Sequence, residues 1–339
     1  MTQKNIKDID SKWYARRVLI TGGAGFIGSH LAEMLVNTDC FVNVIDNLST
    51  GSIKNIEHLM DRENFRFIMA SDSDEIVMDR LISKSDVVFH LAAAVGVELI
   101  IKDPVRVIET NIQGAHSVLK IANRYRRKVI MVSTSEIYGK QNNPPFAEDS
   151  DRLLGPTTCS RWCYSTTKAI DEFLSLAYHK MYGLPVTIVR LFNTVGPRQS
   201  GQYGMVLPRF VKQAITGKKI TVYGDGTQSR CFCNVSDVIK ALDDLSLCKE
   251  ADGQIFNIGS TEETSIKGLA ERILELSGRS KDKDSLKFIP YEEAYEEGFE
   301  DMQKRSPEIS KIKSCIGWEP KVKLDDIIKG MIEYEKSKL

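Results

Sequence analysis

The chain has 339 residues, 42% of them hydrophobic, enough for one large core or two smaller ones. Its 46 basic and 46 acidic residues cancel, so no global field draws it to nucleic acid or to an anionic membrane surface. No apolar run is long enough to cross a bilayer, and the Met1–Trp13 stretch is polar rather than signal-like, which predicts a soluble cytoplasmic protein without membrane partners.

Arg17-Val18-Leu19-Ile20 predicts the first strand and Phe26 to Val36 the first helix, with a glycine-rich turn between them. Strand patterns recur at Phe41–Ile45, Phe65–Ile68, Val87–His90, Val129–Val132 and Pro185–Arg190. Apolar-periodic helices fall between them, notably Pro104 to Tyr125 and Ser165 to Tyr182. Strands alternating with helices predict an α/β fold, a Rossmann-type doubly wound parallel sheet whose ligands sit at the carboxyl ends of the strands. The basic cluster Arg124-Tyr125-Arg126-Arg127-Lys128 closes a helix and reads as a solvated C-terminal face.

From Gly196 the texture changes to clustered Gly, Pro and Arg with short strands such as Ile220–Tyr223. Gln254 to Gly259 predicts a late strand returning to the sheet, Gly298 to Lys311 is loop-rich, and Leu324 to Glu335 predicts a closing helix. The expected division is a cofactor domain over 14–197 plus 232–260 and a smaller α/β substrate lobe over 198–231 plus 261–337. Seven scattered cysteines without a Cys-x-x-Cys pair predict reduced thiols and no metal site. Cys159 and Cys163 read as packing residues, since no histidine lies near them in sequence to serve as base.

Thr21 to Gly28 reads Thr-Gly-Gly-Ala-Gly-Phe-Ile-Gly and joins strand to helix. Gly22, Gly25 and Gly28 permit a tight turn, close approach to a pyrophosphate and close packing on the sheet, while the helix N-terminus offers N–H groups to phosphate. Asp46 ends the second strand, where a carboxylate takes the adenosine ribose hydroxyls and repels a 2′-phosphate, so the expected cofactor is NAD rather than NADP. Tyr164 and Lys168 stand four residues apart on one helical face. An ammonium near a phenol lowers the tyrosine pKa, and the pair can take a proton from a substrate hydroxyl as hydride leaves for nicotinamide. Alone, Tyr-x-x-x-Lys is more often a surface pair; the glycine turn and the segment Ser133 to Gly139, after a strand, favour the catalytic reading.

These motifs resemble the extended short-chain dehydrogenase/reductase family, specifically its NAD-dependent nucleotide-sugar epimerases and dehydratases. The resemblance runs from Val18 to about Tyr334 through Asp46-Asn47-Leu48-Ser49-Thr50-Gly51, His90-Leu91-Ala92-Ala93, Asn111, Tyr164 to Lys168, Gly196-Pro197-Arg198 and Tyr223-Gly224-Asp225-Gly226. It implies that cofactor contacts extend to Phe26, Ile27, Asn47, Ser49, Thr50 and Gly51, to Leu91, Ala92 and Ala93, and to Asn111, Ser133, Lys168 and Val195. Asp72 and Ser73 fall at the adenine, with Asp72 a departure where relatives often carry an apolar residue. Thr134 matches the hydroxyl bridging Tyr164 and substrate, and Asn193, Val206, Leu207, Tyr223 and Arg230 match positions that hold the nucleotide diphosphate, with UDP the expected base. Such relatives are commonly homodimers through the helices bearing Asn111 and Tyr164.

The shared first step in that family is oxidation at sugar C4 with NADH retained. Dehydratases typically carry Asp-Glu after the threonine; here the pair is Ser135-Glu136, so the acid for C6 hydroxyl loss is missing. The Ser-Glu pair, Leu154-Gly155-Pro156 leading to Ser160-Arg161-Trp162-Cys163-Tyr164, and Arg305 resemble UDP-glucuronate decarboxylases. A C4 ketone is β to a C5 carboxylate, so Glu136 would manage protons and Arg305 would orient the acid. The alternatives are a UDP-sugar 4-epimerase, on a neutral sugar or a uronic acid, then a 4,6-dehydratase or a catalytically dead NAD-binding regulator. The intact Thr134, Tyr164 and Lys168 weigh against the last of these.

Overall fold

The computed structural model describes residues 16–96, 103–141, 143–201, 205–279, 285–294 and 302–338. Its centre is a seven-stranded parallel sheet. The first six strands are β1 (Arg17–Thr21), β2 (Phe41–Asp46), β3 (Phe65–Met69), β4 (Val87–His90), β5 (Lys128–Thr134) and β6 (Val186–Leu191). The seventh is Ile255–Ile258, and the order across the sheet is Ile255–Ile258, β6, β5, β4, β1, β2, β3. The order reverses between β1 and β4, and there the carboxyl ends of the strands open a crevice. The late strand returns beside β6, with Ile255 opposite Ile188, as expected from its apolar run.

Helices cover both faces because both faces of the sheet are apolar. One core joins Val18, Ile20 and Val44 to Leu31 and Leu35 of the first helix and to Val238 and Leu242 of the helix Val235–Leu247. The other joins Leu19, Val88, Val129 and Ile188 to Val118, Leu119 and Ala122 of the helix Pro104–Tyr125. Burial on both faces explains the near-continuous apolar strands, for β4 and β6 have no exposed residue.

A third core belongs to the second lobe: Leu207, Phe210 and Val211 pack with Ile220, Val222, Leu269, Ile273, Ile328 and Met331. Ile312 and Trp318, late in the chain, pack instead on the first core, and the Trp318 indole donates to the Asp237 carbonyl at 2.9 Å. In the basic cluster after Asn123, Arg124 and Arg126 are exposed as expected, while Arg127 and Lys128 are half-buried. Arg124 pairs with Asp79, Arg127 donates to the Ser83 carbonyl at 2.8 Å, and Lys128 lies 2.8 Å from Asp252. It ties the helix end to the neighbouring loops. Among the described residues, no helix is long and apolar enough to cross a membrane.

Candidate active site

Two cavities meet at the carboxyl edge of the sheet. The larger, about 840 Å³, runs over the glycine turn; the smaller, about 180 Å³, lies against the second lobe. Glu136, Tyr164, Asn193 and Arg305 border both.

The larger cavity is shaped by backbone. Gly22 has φ +69°, and a Cβ there would come within 2.8 Å of the Ala92 backbone. A Cβ on Gly28 would come 2.4 Å from the Gly22 carbonyl oxygen. The helix Phe26–Val36 has no side-chain cap and no acidic residue in its first turn, so its N-terminus is left to an anion. Asp46 is buried at the end of β2 and accepts from the Ala24 amide at 3.0 Å and the Leu48 amide at 2.8 Å. Gly51 passes so close that a Cβ would lie 2.9 Å from both Asp46 oxygens. These features fit a dinucleotide with its pyrophosphate at the helix and its ribose at Asp46. Phe26, Ile27, Asn47, Ser49, Thr50, Leu91, Ala92 and Ala93 complete the walls.

Of the other expected cofactor residues, Asp72 and Ser133 border this cavity, while Ser73, Asn111 and Val195 do not. Ser73 is exposed, its hydroxyl 2.7 Å from that of Ser71, and it does not border the cavity. Asp72 does, buried beside Gly114 and 3.9 Å from His90. Asn111 works behind the wall: it accepts from the Ala94 amide at 2.7 Å and donates to the Thr167 hydroxyl at 3.3 Å, fastening the loop after β4 to the catalytic helix. Ser133 borders the cavity, but its hydroxyl donates to buried Glu172 at 2.6 Å. Val195 borders the smaller cavity instead.

Tyr164 opens the helix Cys163–Tyr182 and projects to where the cavities join. Burial and nearby carboxylates dominate the Tyr164 phenol in the chain by itself. Burial pushes the Tyr164 phenol well above its ordinary value, and the Glu136 and Asp171 carboxylates add to that; a hydrogen bond from Thr134 and the charge of Arg161 pull the other way. Lys168 is buried and its ammonium lies 2.8 Å from Asp171, one turn further along the helix. His90, buried and facing the same Lys168 charge, is pushed down to about 3 and stays neutral, holding the Thr21 hydroxyl at 2.8 Å.

Ser135 to Tyr138 form a 3-10 turn directly after β5. Within it Ser135 borders the larger cavity and Glu136 faces three arginines. Arg161 pairs with one Glu136 oxygen, Arg305 lies 3.6 Å from the other, and Arg305 also donates to Asn193. Burial would push the Glu136 carboxyl up; Arg161 first, then Arg305 and Arg230, outweigh it and hold the group below the usual carboxylate range. Three guanidinium groups thus converge on one carboxylate where the cavities meet.

In the second lobe, Val206, Leu207, Tyr223 and Arg230 all border the smaller cavity, with Arg230 buried. Arg209 stacks 4.2 Å above the Tyr223 ring, and Gln228 donates to the Tyr291 hydroxyl at 2.8 Å. Arg161, Arg209, Gln228 and Tyr291 were not among the residues expected here. Only Arg161 carried a signal, its spacing of one helical turn before Tyr164.

A family profile described as GDP-mannose 4,6 dehydratase matches residues 19–331. A UDP-N-acetyl-alpha-D-glucosaminuronate decarboxylase of Bacillus cytotoxicus is 43% identical over 320 residues, 94% of this chain and 97% of that protein. A UDP-glucuronic acid decarboxylase 1 of Xenopus tropicalis is 35% identical, over 96% of this chain and 73% of that protein. The structure of a UDP-glucuronic acid 4-epimerase variant from Bacillus cereus, with UDP-4-deoxy-4-fluoro-glucuronic acid and NAD, matches with a TM-score of 0.85 at 30% identity. That match covers 95% of this chain and 100% of the other. The glycine turn, Asp46 and the Tyr164 helix thus stand in a chain that belongs to the GDP-mannose 4,6-dehydratase family, NAD-dependent nucleotide-sugar enzymes of the short-chain dehydrogenase/reductase type.

Proposed function

We propose that this enzyme decarboxylates a UDP-hexuronic acid. The observation that carries the proposal is the guanidinium of Arg305, held between Glu136 and Asn193 where the two cavities meet at Tyr164. A C5 carboxylate bound there would meet the planar fork of donors that a guanidinium offers, a charge-assisted contact that a neutral hexose cannot make. The relatives named above support this, since each carries a uronic acid in its name or its bound ligand.

NAD, which the glycine turn and Asp46 would hold, would supply the hydride acceptor for sugar C4. The protein's own residues manage the rest. Tyr164 accepts the O4 proton as phenolate, a form that the positive nicotinamide charge of bound NAD would favour against burial, with Thr134 supporting the phenolic oxygen. The C4 ketone is then β to the carboxylate, so the C5–carboxyl bond breaks and its electron pair passes into the enolate on O4, which Tyr164 holds by hydrogen bond. C5 takes up one proton as carbon dioxide leaves, and O4 recovers the proton from Tyr164 at the end. Glu136, ionised, draws protons and water toward C5 rather than standing as a preformed acid. Arg230, with Tyr223 and Asn193, holds the diphosphate side.

NAD sits on 14–197 plus 232–260 and the nucleotide-sugar against the remainder of the chain. The enzyme pairs as a homodimer through the helices Pro104–Tyr125 and Cys163–Tyr182, on which Val105, Ile108, Ile170 and Phe173 lie exposed. It works in the cytoplasm, as the scattered cysteines without a Cys-x-x-Cys pair suggest.

The test is product mass from a panel of UDP-glucose, UDP-glucuronic acid and UDP-N-acetylglucosaminuronic acid. Loss of one carbon dioxide from a uronic acid, with the glucose compound unchanged, is the expected result. A C4-inverted product of unchanged mass would make the enzyme a 4-epimerase, leaving the NAD site and Tyr164 as assigned.

A further inference from the structure

Glu136 is held at all three of its polar groups by neighbouring catalytic elements. Its amide donates to the Thr134 hydroxyl at 3.2 Å, its carbonyl accepts from the Ser165 hydroxyl at 2.9 Å, and its carboxylate pairs with Arg161. Arg161 belongs to the short turn Ser160–Trp162 that leads straight into the Tyr164 helix, and its side chain is 5% exposed. Its guanidinium also lies over the Trp162 ring, 5.7 Å from the centroid.

We propose that Arg161 is a positioning residue, which fixes Glu136 as an ionised carboxylate aimed at the sugar cavity and so links the orientation of Glu136 to that of Tyr164. Among the described residues, the groups facing Glu136 are Arg161 from the turn, Arg305 from the C-terminal loop, Arg230 from the strand Ser229–Cys231, and Tyr164 from the helix. Arg161 makes the short contact, while Arg305 stands at 3.6 Å and shares itself with Asn193. Arg305 is therefore the guanidinium that can turn to a ligand without releasing Glu136, and Arg161 the one that stays. A division of labour follows, with one arginine for the enzyme's own carboxylate and one for the substrate's. It rests on the reading of the cavity as a uronic acid site only for the second half.

The experiment compares wild type with Arg161→Gln, Arg161→Lys, Glu136→Gln and the double variant Arg161→Gln/Glu136→Gln. Without substrate, the Glu136 carboxyl is titrated by 13C NMR on glutamate-labelled protein, the signal being assigned by its loss in Glu136→Gln. Arg161→Gln should raise its pKa by about one unit or more, because burial then acts with less opposition. Arg161→Lys, which keeps the charge, should restore most of the difference. With a uronic acid that turns over, the acidic limb of the pH–kcat profile should move to higher pH by a similar amount. The double variant should show no Arg161-dependent limb. An unmoved carboxyl titration, or a rate that falls equally at every pH, would overturn the proposal. Should Arg161→Gln fail to fold, recovery of folding in the double variant supports coupling through Glu136, and failure of both contradicts it. The NMR and folding arms stand even when no uronic acid is consumed.

Discussion

The cofactor half and the sugar half of the cleft are built by different means. The first is backbone: glycines that a Cβ would choke, a helix N-terminus, and Asp46 tied to nearby amides. The second is charged side chains gathered from distant parts of the chain. Glu136 meets Arg161 from 25 residues away, and Asn193 meets Arg305 from 112. Backbone sites bind what every member of a family shares, while side-chain clusters can change reaction or substrate by one substitution.

Tyr164 stands where the halves meet, and its loss should have the largest effect. Tyr164→Phe removes the proton acceptor alone, so kcat should fall about 10²–10⁴-fold with NAD content of the purified protein unchanged. Retention of more than a tenth of the rate would require a different base. Arg305→Ala should separate the halves most sharply. It should raise KM for the uronic acid about 10- to 100-fold, as expected for a lost charge-assisted contact, with little change in NAD affinity. Equal losses of uronic acid and UDP binding would make Arg305 a nucleotide contact.

Asp46→Ala acts on the other half. NAD affinity should drop about tenfold while NADP binding is kept or improved, read by titrating cofactor-stripped protein. The smallest effect is expected at the seam behind Tyr164. Asp171→Asn removes a carboxylate that pushes the phenol up and frees the Lys168 charge to act on it. Both changes lower the tyrosine pKa, so the ionised base persists to lower pH and the acidic limb governed by Tyr164 should shift down. A limb that moved up instead would mean that Lys168 needs Asp171 to serve the tyrosine.

The same contrast decides what could be read in the sequence. The sheet, the glycine turn and Asp46 are written in local periodicity and spacing, and helices such as Phe26–Val36 and Pro104–Tyr125 fall where the pattern put them. The Lys168–Asp171 pair was missed although both residues lie on one helix, because the four-residue spacing to Tyr164 also suited the lysine. Ser73 was placed by resemblance, yet the loop after β3 turns its side chain outward to Ser71. The Glu136–Arg161 contact depends on a 3-10 turn after β5 meeting the turn before the catalytic helix, a tertiary fact that no window of sequence holds.

The central claim is that this cleft breaks the bond between C5 and its carboxylate. It is tested most directly with UDP-glucuronic acid and its 2-acetamido counterpart, each labelled with 13C in the carboxyl carbon. Labelled carbon dioxide should appear one for one with a nucleotide-pentose product, and should cease in Tyr164→Phe. Label that stays in the sugar while the C4 configuration inverts would contradict the account.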